Sequence, residues 1–349
     1  MSASDSAIPQ YVPAPTQPGS AHLIGICGSG MSALANVLRG LGWNVTGSDT
    51  SLAPPGNAVP SGPKQAVVAA RHAGGATPND CDLVIHSAAV PDEDPERIAA
   101  RRRGIPSLSL AEALGWVTHG RPLAAVAGTH GKSSATSMMA SILRFAGRKP
   151  LVVCGARQLG YTSGGDAGRD GLAIVEACEY REHFLHLRPR YAALLGIEPD
   201  HFDCFDSDAA LDAAYAGFVA QIPSDGLLLV NAACRRAQRV VARARCRRER
   251  FAVCWPPRGD GRLAGDVEWT AVVSGHERGH YAFELNYGGE TLGYVRLAAA
   301  GAHMVSNALA AAALAWHQGV SGAEITAGLS VFPGLHRRIE LLGEYAGVA

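Results

Sequence analysis

Leu123-Ala-Ala-Val-Ala-Gly-Thr-His-Gly-Lys-Ser-Ser134 is the stretch on which the reading of this chain turns. The apolar run Leu123 to Ala127 predicts a buried strand, and a helical pattern opens at Ser133 and runs through Met138, Met139, Ile142 and Leu143. Between them lie Gly128, Thr129, His130, Gly131 and Lys132. A strand, a glycine turn and a helix N-terminus aim several backbone N–H groups at one point, and the helix dipole adds partial positive charge there. Lys132 supplies a full charge, and the Ser133 hydroxyl is of the kind that ligates the Mg²⁺ travelling with ATP. Val126 stands where the strict Walker pattern has Gly, so the loop is a shortened relative of the common P-loop. The plainer alternative is an ordinary tight turn.

The rest of the chain bounds what this loop belongs to. A length of 349 residues predicts two domains, or three small ones. Lys plus Arg and Asp plus Glu both number 31, so no global field points to nucleic acid. Eight cysteines without a C-x-x-C pair predict a reduced, cytoplasmic protein. No apolar run approaches bilayer length, so no membrane is expected. Met1 to Ser20 is rich in Pro, Ser, Ala and Gln and reads as a floppy leader, not a signal peptide.

A second glycine turn precedes the first. His22 to Ile26 reads as a strand, Cys27 to Met31 as a turn, and Ser32 to Leu41 as a helix. Gly28, Gly30 and Ala33 fit G-x-G-x-x-A, a second strand starts over Asn44 to Thr46, and Asp49 lies where a ribose-binding acid is expected. Taken alone this would suggest an NAD-dependent dehydrogenase. Its physics says only that a diphosphate can lie on a helix N-terminus. Ser51 to Pro63 reads as a loop, Asp82 to His86 as a strand, Pro95 to Arg103 as a helix, and Pro106 to Leu108 as a short strand before a helix at Glu112. Arg101 to Arg103 reads as a solvated helix end, and His119 to Pro122 as a linker.

Beyond the linker, strands are expected at Leu151 to Cys154, Leu172 to Ala177, Tyr191 to Ile197 and Leu227 to Val230. Two of them run into acid clusters, Glu176-Ala-Cys-Glu179 and Glu198-Pro-Asp200-His201-Phe-Asp203. In a parallel sheet Glu176 and His201 would share the carboxyl edge with Ser133, a plausible Mg²⁺ site. Arg235 to Arg250 carries eight arginines and reads as a helix with a solvated face, with nucleic-acid binding as the sharper alternative. Val267 to Leu297 reads as an antiparallel meander turning at Gly275 and Gly288-Gly289. Helices follow over His303 to Trp316 and Ser321 to Phe332. Asn307 is placed to reach a nucleotide or to sit in the core, and Arg337-Arg338 to meet phosphate or solvent.

These motifs, in this order, resemble the Mur ligase family. His22 to Ala35 resembles its UDP-binding turn, Gly47-Ser-Asp49 the next motif, and Ser87 to Glu96 the segment near the substrate diphosphate. Gly128 to Ser133 resembles its ATP loop, Glu176 to Arg181 and Ile197 to Asp203 its Mg²⁺ and substrate motifs, and Gly301 to Asn307 with Gly334 to Arg338 the adenine-side helix and arginine pair. His130 fits the branch that adds L-alanine, and its peptide-recycling relative. Met304 and Gly196 stand where the family usually has Asn. The resemblance implies an α/β fold: a leader over 1–20, a Rossmann-like UDP-sugar domain over 21–120, and a P-loop-type ATPase domain over 121–343. The second would combine a mainly parallel sheet with a small antiparallel meander, and the family's C-terminal ligase domain would be absent.

The implied reaction is ATP-dependent ligation of L-alanine to UDP-N-acetylmuramate through an acyl phosphate. Gly28, Ser29, Gly30, Met31, Asp49 and Ser87 would hold the UDP-sugar. Gly128, Thr129, His130, Gly131, Lys132, Ser133, Ser134, Asn307 and Arg337 would hold ATP. Ser133, Glu176 and His201 would ligate Mg²⁺, with Lys132, His130, His201 and Glu176 at the reacting groups. A catalytically silent module that binds UDP-sugar and ATP is the alternative from another class.

Overall fold

The computed structural model describes residues 12, 14–50, 69–70, 81–200, 202–256 and 267–340. They form two compact units. The first lies within Met1–His119 and takes back the short stretch Ser163–Gly168; the second comprises Gly120–Thr162 and Arg169 onward.

In the first unit β1 (Ser20–Ile24), α1 (Ser29–Gly40), β2 (Asn44–Ser48), β3 (Ala69–Ala70), β4 (Leu83–His86), α2 (Pro95–Arg102), β5 (Ser107–Ser109) and α3 (Leu110–Thr118) follow in order. The strands pair in parallel in the order β3-β2-β1-β4-β5. The order reverses between β1 and β4, which is where an open parallel sheet leaves a crevice for ligands.

Strand β1 ends two residues before the expected Ile26. Gly25 adopts φ +83°, and both Gly25 and Ile26 donate their N–H to the Ser48 carbonyl. Helix α1 opens at Ser29, ahead of the expected Ser32, because Gly28 is its N-cap and accepts the Ser32 N–H. The leader expected over 1–20 is only partly outside the described residues: β1 starts at Ser20, and the Pro15 carbonyl accepts the indole N–H of buried Trp43. The loop expected over Ser51 to Pro63 lies outside the described residues. Asp94 caps α2, and Ser109 with Glu112 forms a capping box that starts α3. In the returning stretch Ser163 Oγ accepts from Asn36 of α1 at 2.8 Å. There too, a side chain at Gly165 would collide with the Ala33 carbonyl.

The second unit runs β6 (Leu123–Ala127), α4 (Lys132–Phe145), β7 (Leu151–Val153), β9 (Ala173–Glu176) and β10 (Tyr191–Leu194), while β8 (Gly165–Asp166) falls in the stretch that belongs to the first unit. It continues with α5 (Asp208–Ala220), β11 (Leu227–Asn231), α6 (Arg235–Val240), β12 (Arg247–Cys254), β13 (Trp269–Glu277), β14 (His280–Tyr287), β15 (Glu290–Arg296), α7 (His303–Trp316) and α8 (Gly322–Ser330). Its sheet runs β15-β14-β13-β12-β11-β10-β6-β9-β7. Pairing is parallel from β13 to β7 and antiparallel across β13-β14-β15. The expected α/β class and meander are therefore present.

One face of this sheet is covered by α4, α7 and α8. Helix α7 is buried along most of its length and is built largely of alanine, which lets it lie close to α4. Helix α8 approaches as closely at Gly328, where a Cβ would sit 2.8 Å from Ile142 Cα.

Two expectations are corrected here. Arg235 to Arg250 is not one helix: α6 ends at Val240, a 3-10 turn spans Val241–Arg243, and β12 begins at Arg247. The apolar period changes there from helical to two, with Glu249 and Phe251 pointing into the core. The meander does not turn at Gly275, which lies at a register shift inside β13. The turn is Arg278-Gly279, both at positive φ as a tight hairpin requires, and Gly288-Gly289 repeats that geometry.

Glu249 is a buried carboxylate, hydrogen-bonded to Trp269 Nε1 at 2.7 Å and His317 Nε2 at 2.8 Å. Burial pushes its pKa up, but these hydrogen bonds outweigh it and hold the group below its ordinary value. Its stabilising effect is therefore present above the ordinary carboxylate range and lost as pH falls through the depressed pKa. Glu249→Ala is expected to cost roughly 1–3 kcal/mol at neutral pH by leaving buried donors unpaired. In urea melts the gap from wild type should narrow as the pH drops into the acid range.

Candidate active site

The chain leaves β6 at Ala127 and turns through Gly128 at φ +133° and Gly131 at φ +84°. A Cβ at Gly128 would lie 3.0 Å from the Gly196 backbone, and one at Gly131 would collide with the Asn307 amide. Both positions therefore need glycine twice over, for conformation and for space. Thr129 clamps the turn to the segment after β10. Its N–H donates to Gly196 O at 3.0 Å, while its Oγ1 accepts from Glu198 N at 2.9 Å and donates to Glu198 O at 3.2 Å.

Lys132 opens α4 and folds back over the turn. Its ammonium donates to Gly128 O at 2.7 Å, Thr129 O at 3.1 Å and Glu179 Oε1 at 2.9 Å. All three ammonium protons are thereby used. Glu179, 1 % exposed, is the deepest carboxylate of the site.

Ser133 comes next on the helix and donates to Glu176 Oε1 at 2.7 Å. The other Glu176 oxygen accepts from Gly155 N at 2.7 Å and lies 3.6 Å from Cys154 Sγ. Burial, reinforced by the charge of Glu176, pushes the Cys154 thiol up to about 12, so it stays protonated. Arg338 Nη2 reaches Ser133 Oγ at 3.2 Å. It is carried there by backbone bonds from Leu159 N to Gly334 O at 3.0 Å and from His336 N to Arg157 O at 2.9 Å. Arg337 turns at φ +62°, and its N–H donates to Glu340.

These groups open onto a cavity of about 590 Å³ lined by Thr129 to Ser134, Glu176, Asp200, His303, Met304, Arg337 and Arg338. A helix N-terminus, an ammonium and a guanidinium converge on it, with a hydroxyl and a carboxylate alongside. That arrangement can seat a polyphosphate and offer hard oxygen donors to a divalent cation.

The expected residues fall into three groups. Lys132, Ser133 and Glu176 come together, with Gly128, Thr129 and Gly131 shaping the loop. His130 stands at the cavity rim, its side chain 74 % exposed and 3.7 Å from Glu198, and Ser134 lines the cavity but is largely buried. Asn307 is also buried: it supports the loop at Gly131 and lies 3.8 Å from Met304 Sδ. His201 lies outside the described residues. Sequence reasoning missed Glu179 as the partner of Lys132, although it closes the quoted run Glu176-Ala-Cys-Glu179. Nothing in the sequence distinguishes Arg338 from Arg337.

In the first unit Gly28 and Ser29 are exposed at the N-terminus of α1. Asp49 Oδ2 accepts the Cys27 N–H at 2.9 Å, so this acid shapes the turn. Ser87 donates its N–H to Ile24 O, and a Cβ at Gly25 would lie 3.0 Å from its own Cβ. Gly30 packs close to Leu110, and the Met31 side chain is buried in the core, leaving only its backbone for a ligand. Gly25, outside the G-x-G-x-x-A pattern, is the glycine of this turn with positive φ.

Residues 20–121 match the description "Mur ligase family, catalytic domain", and residues 126–315 the "Mur ligase middle domain". A UDP-N-acetylmuramate--L-alanine ligase of Solidesulfovibrio magneticus is 37 % identical over 94 % of this chain and 68 % of its own length. Among solved structures, the UDP-N-acetylmuramate:L-alanyl-gamma-D-glutamyl-meso-diaminopimelate ligase of Neisseria meningitides is 26 % identical, with TM-score 0.74 over 92 % of this chain and 100 % of that one. The UDP-N-acetylmuramate-alanine ligase of Thermotoga maritima, 22 % identical, shares the fold with TM-score 0.74 over 94 % of this chain and 72 % of that one.

Gly131→Ala is expected to distort the loop through both its φ and the Asn307 contact. ATP binding, read by titration calorimetry, should be lost, and Asn307→Ala should restore only the steric part.

Proposed function

The chain belongs to the Mur ligase family, and on that footing we propose that it joins L-alanine to UDP-N-acetylmuramate with cleavage of ATP, a step of peptidoglycan precursor synthesis in the cytoplasm. The observation that carries this is the convergence of Lys132, Ser133, Glu176 and Arg338 on one phosphate-sized cavity at the end of β6. The relatives supply the substrate class.

The chemistry follows from charge. A carboxylate oxygen of the sugar substrate attacks the γ-phosphorus of ATP, the bond to the β,γ-bridging oxygen breaks, and ADP leaves an acyl phosphate. The amine of L-alanine then attacks the acyl carbon, the C–O bond breaks, and phosphate departs as the nitrogen loses a proton. The first step brings anion to anion, so neutralising charge is the main task. Lys132 and the N–H groups opening α4 would bind the phosphates, with Arg338 drawing off charge beside Ser133. As the phosphates arrive, the ammonium exchanges its bonds to Gly128 O and Thr129 O for phosphate oxygens, while Glu179 keeps it in place. His130 at the rim would face the substrate.

Ser133 Oγ and the Glu176 carboxylate, 2.7 Å apart, are hard oxygen donors that fit Mg²⁺, an ion that commonly takes one or two protein ligands and fills its shell with water and phosphate oxygens. His201 would complete the protein's share. When bound, the ion would offset phosphate charge and polarise the transferred group. Gly28, Ser29, Asp49 and Ser87 would seat the UDP-sugar on the first unit.

The likeness to the Neisseria ligase favours one second reading, in which the amine donor is a peptide. Phosphate release that requires UDP-N-acetylmuramate and L-alanine supports the first reading. Release that requires UDP-N-acetylmuramate and L-alanyl-γ-D-glutamyl-meso-diaminopimelate, and not L-alanine, supports the second. Binding of both nucleotides without turnover indicates a silent module, and NADH binding without UDP-sugar binding indicates a dehydrogenase. Lys132→Ala should lower phosphate release by at least about a hundredfold while leaving UDP-sugar affinity nearly unchanged. Asp49→Ala should do the reverse; parallel loss of both in either variant contradicts two separate sites.

A further inference from the structure

Breaking the arginine-rich stretch into α6, a turn and β12 changes what its side chains do. Arg248 and Arg250 are two residues apart on one face of β12, opposite Glu249 and Phe251. With Val230, Gln238, Val241 and Cys246 they line a cavity of about 430 Å³. It shares no residue with the cavity at the phosphate loop. Arg248 is already held in place, its Nη1 lying 3.3 Å from Val241 O and 3.4 Å from Ala242 O.

None of the lining residues is acidic. Among the described residues no carboxylate forms an ion pair with either guanidinium. Glu249 points into the core, Glu268 accepts the backbone N–H of Arg250 at 2.7 Å, and Asp208 and Asp212 are paired with Arg236. Arg239, Arg243 and Arg245 lie in the same segment and form no ion pair among the described residues. Two neighbouring guanidiniums without a carboxylate between them repel, and a bound anion would remove that cost. Their planar forks match phosphate oxygens two at a time.

We propose that this cavity binds a phosphorylated small molecule at a site separate from the phosphate loop. The lining contains no aromatic side chain on which a base could stack, so single-stranded nucleic acid is the poorer match. The anion is either free phosphate or the phosphate of an organic metabolite, and the two share the same recognition chemistry. This reading stands whether or not the ligase activity does.

The test is titration calorimetry of the full chain with pyrophosphate, inorganic phosphate and ribose 5-phosphate. Wild type should show two classes of pyrophosphate site. Lys132→Ala should remove one, and Arg248→Gln with Arg250→Gln should weaken the other by about tenfold or more. That double variant should stay folded, its melting temperature falling by no more than the loss of the Arg248 bonds to Val241 O and Ala242 O allows, since both guanidiniums lie outside the core. Arg248→Lys with Arg250→Lys keeps the charge but loses the fork and should fall between; it also carries the test if the glutamine pair does not fold. Tighter binding of ribose 5-phosphate than of phosphate assigns an organic ligand, and equal binding the bare anion. A single class abolished by Lys132→Ala, or isotherms indifferent to both arginine pairs, overturns the proposal. So does arginine-dependent binding of single-stranded RNA that is tighter than that of pyrophosphate.

Discussion

Thr129 ties the phosphate loop to the segment that follows β10, and the placement of Lys132 depends on that tie. Its hydroxyl and N–H occupy both backbone groups of Glu198 and the carbonyl of Gly196. The turn between Gly128 and Gly131 is thus pinned from outside and not only by its own glycines. With the turn pinned, the carbonyls of Gly128 and Thr129 stand where the Lys132 ammonium can bond them. Helix α4 then starts in the one direction that brings Ser133 to Glu176.

The charges in this loop are buried in a way that tolerates little disturbance. Lys132 and Glu179 are 11 % and 1 % exposed at 2.8 Å, so removing either would strand the other in a low-dielectric setting. The pair therefore acts less as a source of stability than as a fixed positive centre whose place is set before a ligand arrives. Ser133 performs a related task, standing between the carboxylate of Glu176 and the guanidinium of Arg338.

The legible parts of this chain were those whose physics is local. Leu123 to Ala127, the helix from His303 to Trp316 and the Gly288-Gly289 turn can be read from apolar period and glycine placement, because neighbouring residues decide them. The arginine-rich stretch misled because its first residues do form a helix, and only packing of Phe251 and Glu249 on distant strands turns the remainder into β12. In the site, residue types signalled phosphate chemistry. Which acid meets Lys132, and which of two adjacent arginines meets Ser133, depends on tertiary contacts between segments 47 and 205 residues apart, and these leave no mark in spacing.

The stretch Ser163–Gly168 leaves the second unit and rejoins the first, where Asn36 holds Ser163 and the absence of a side chain at Gly165 admits Ala33. The polypeptide thus passes between units three times, at His119, Thr162 and Gly168, and not once. A gene fragment ending at residue 119 would lack the patch that covers part of α1, and a fragment beginning at 120 would carry that patch without the helix it packs on. Dissection of this protein into independently folding halves calls for a graft of those six residues onto the first half, not a single cut.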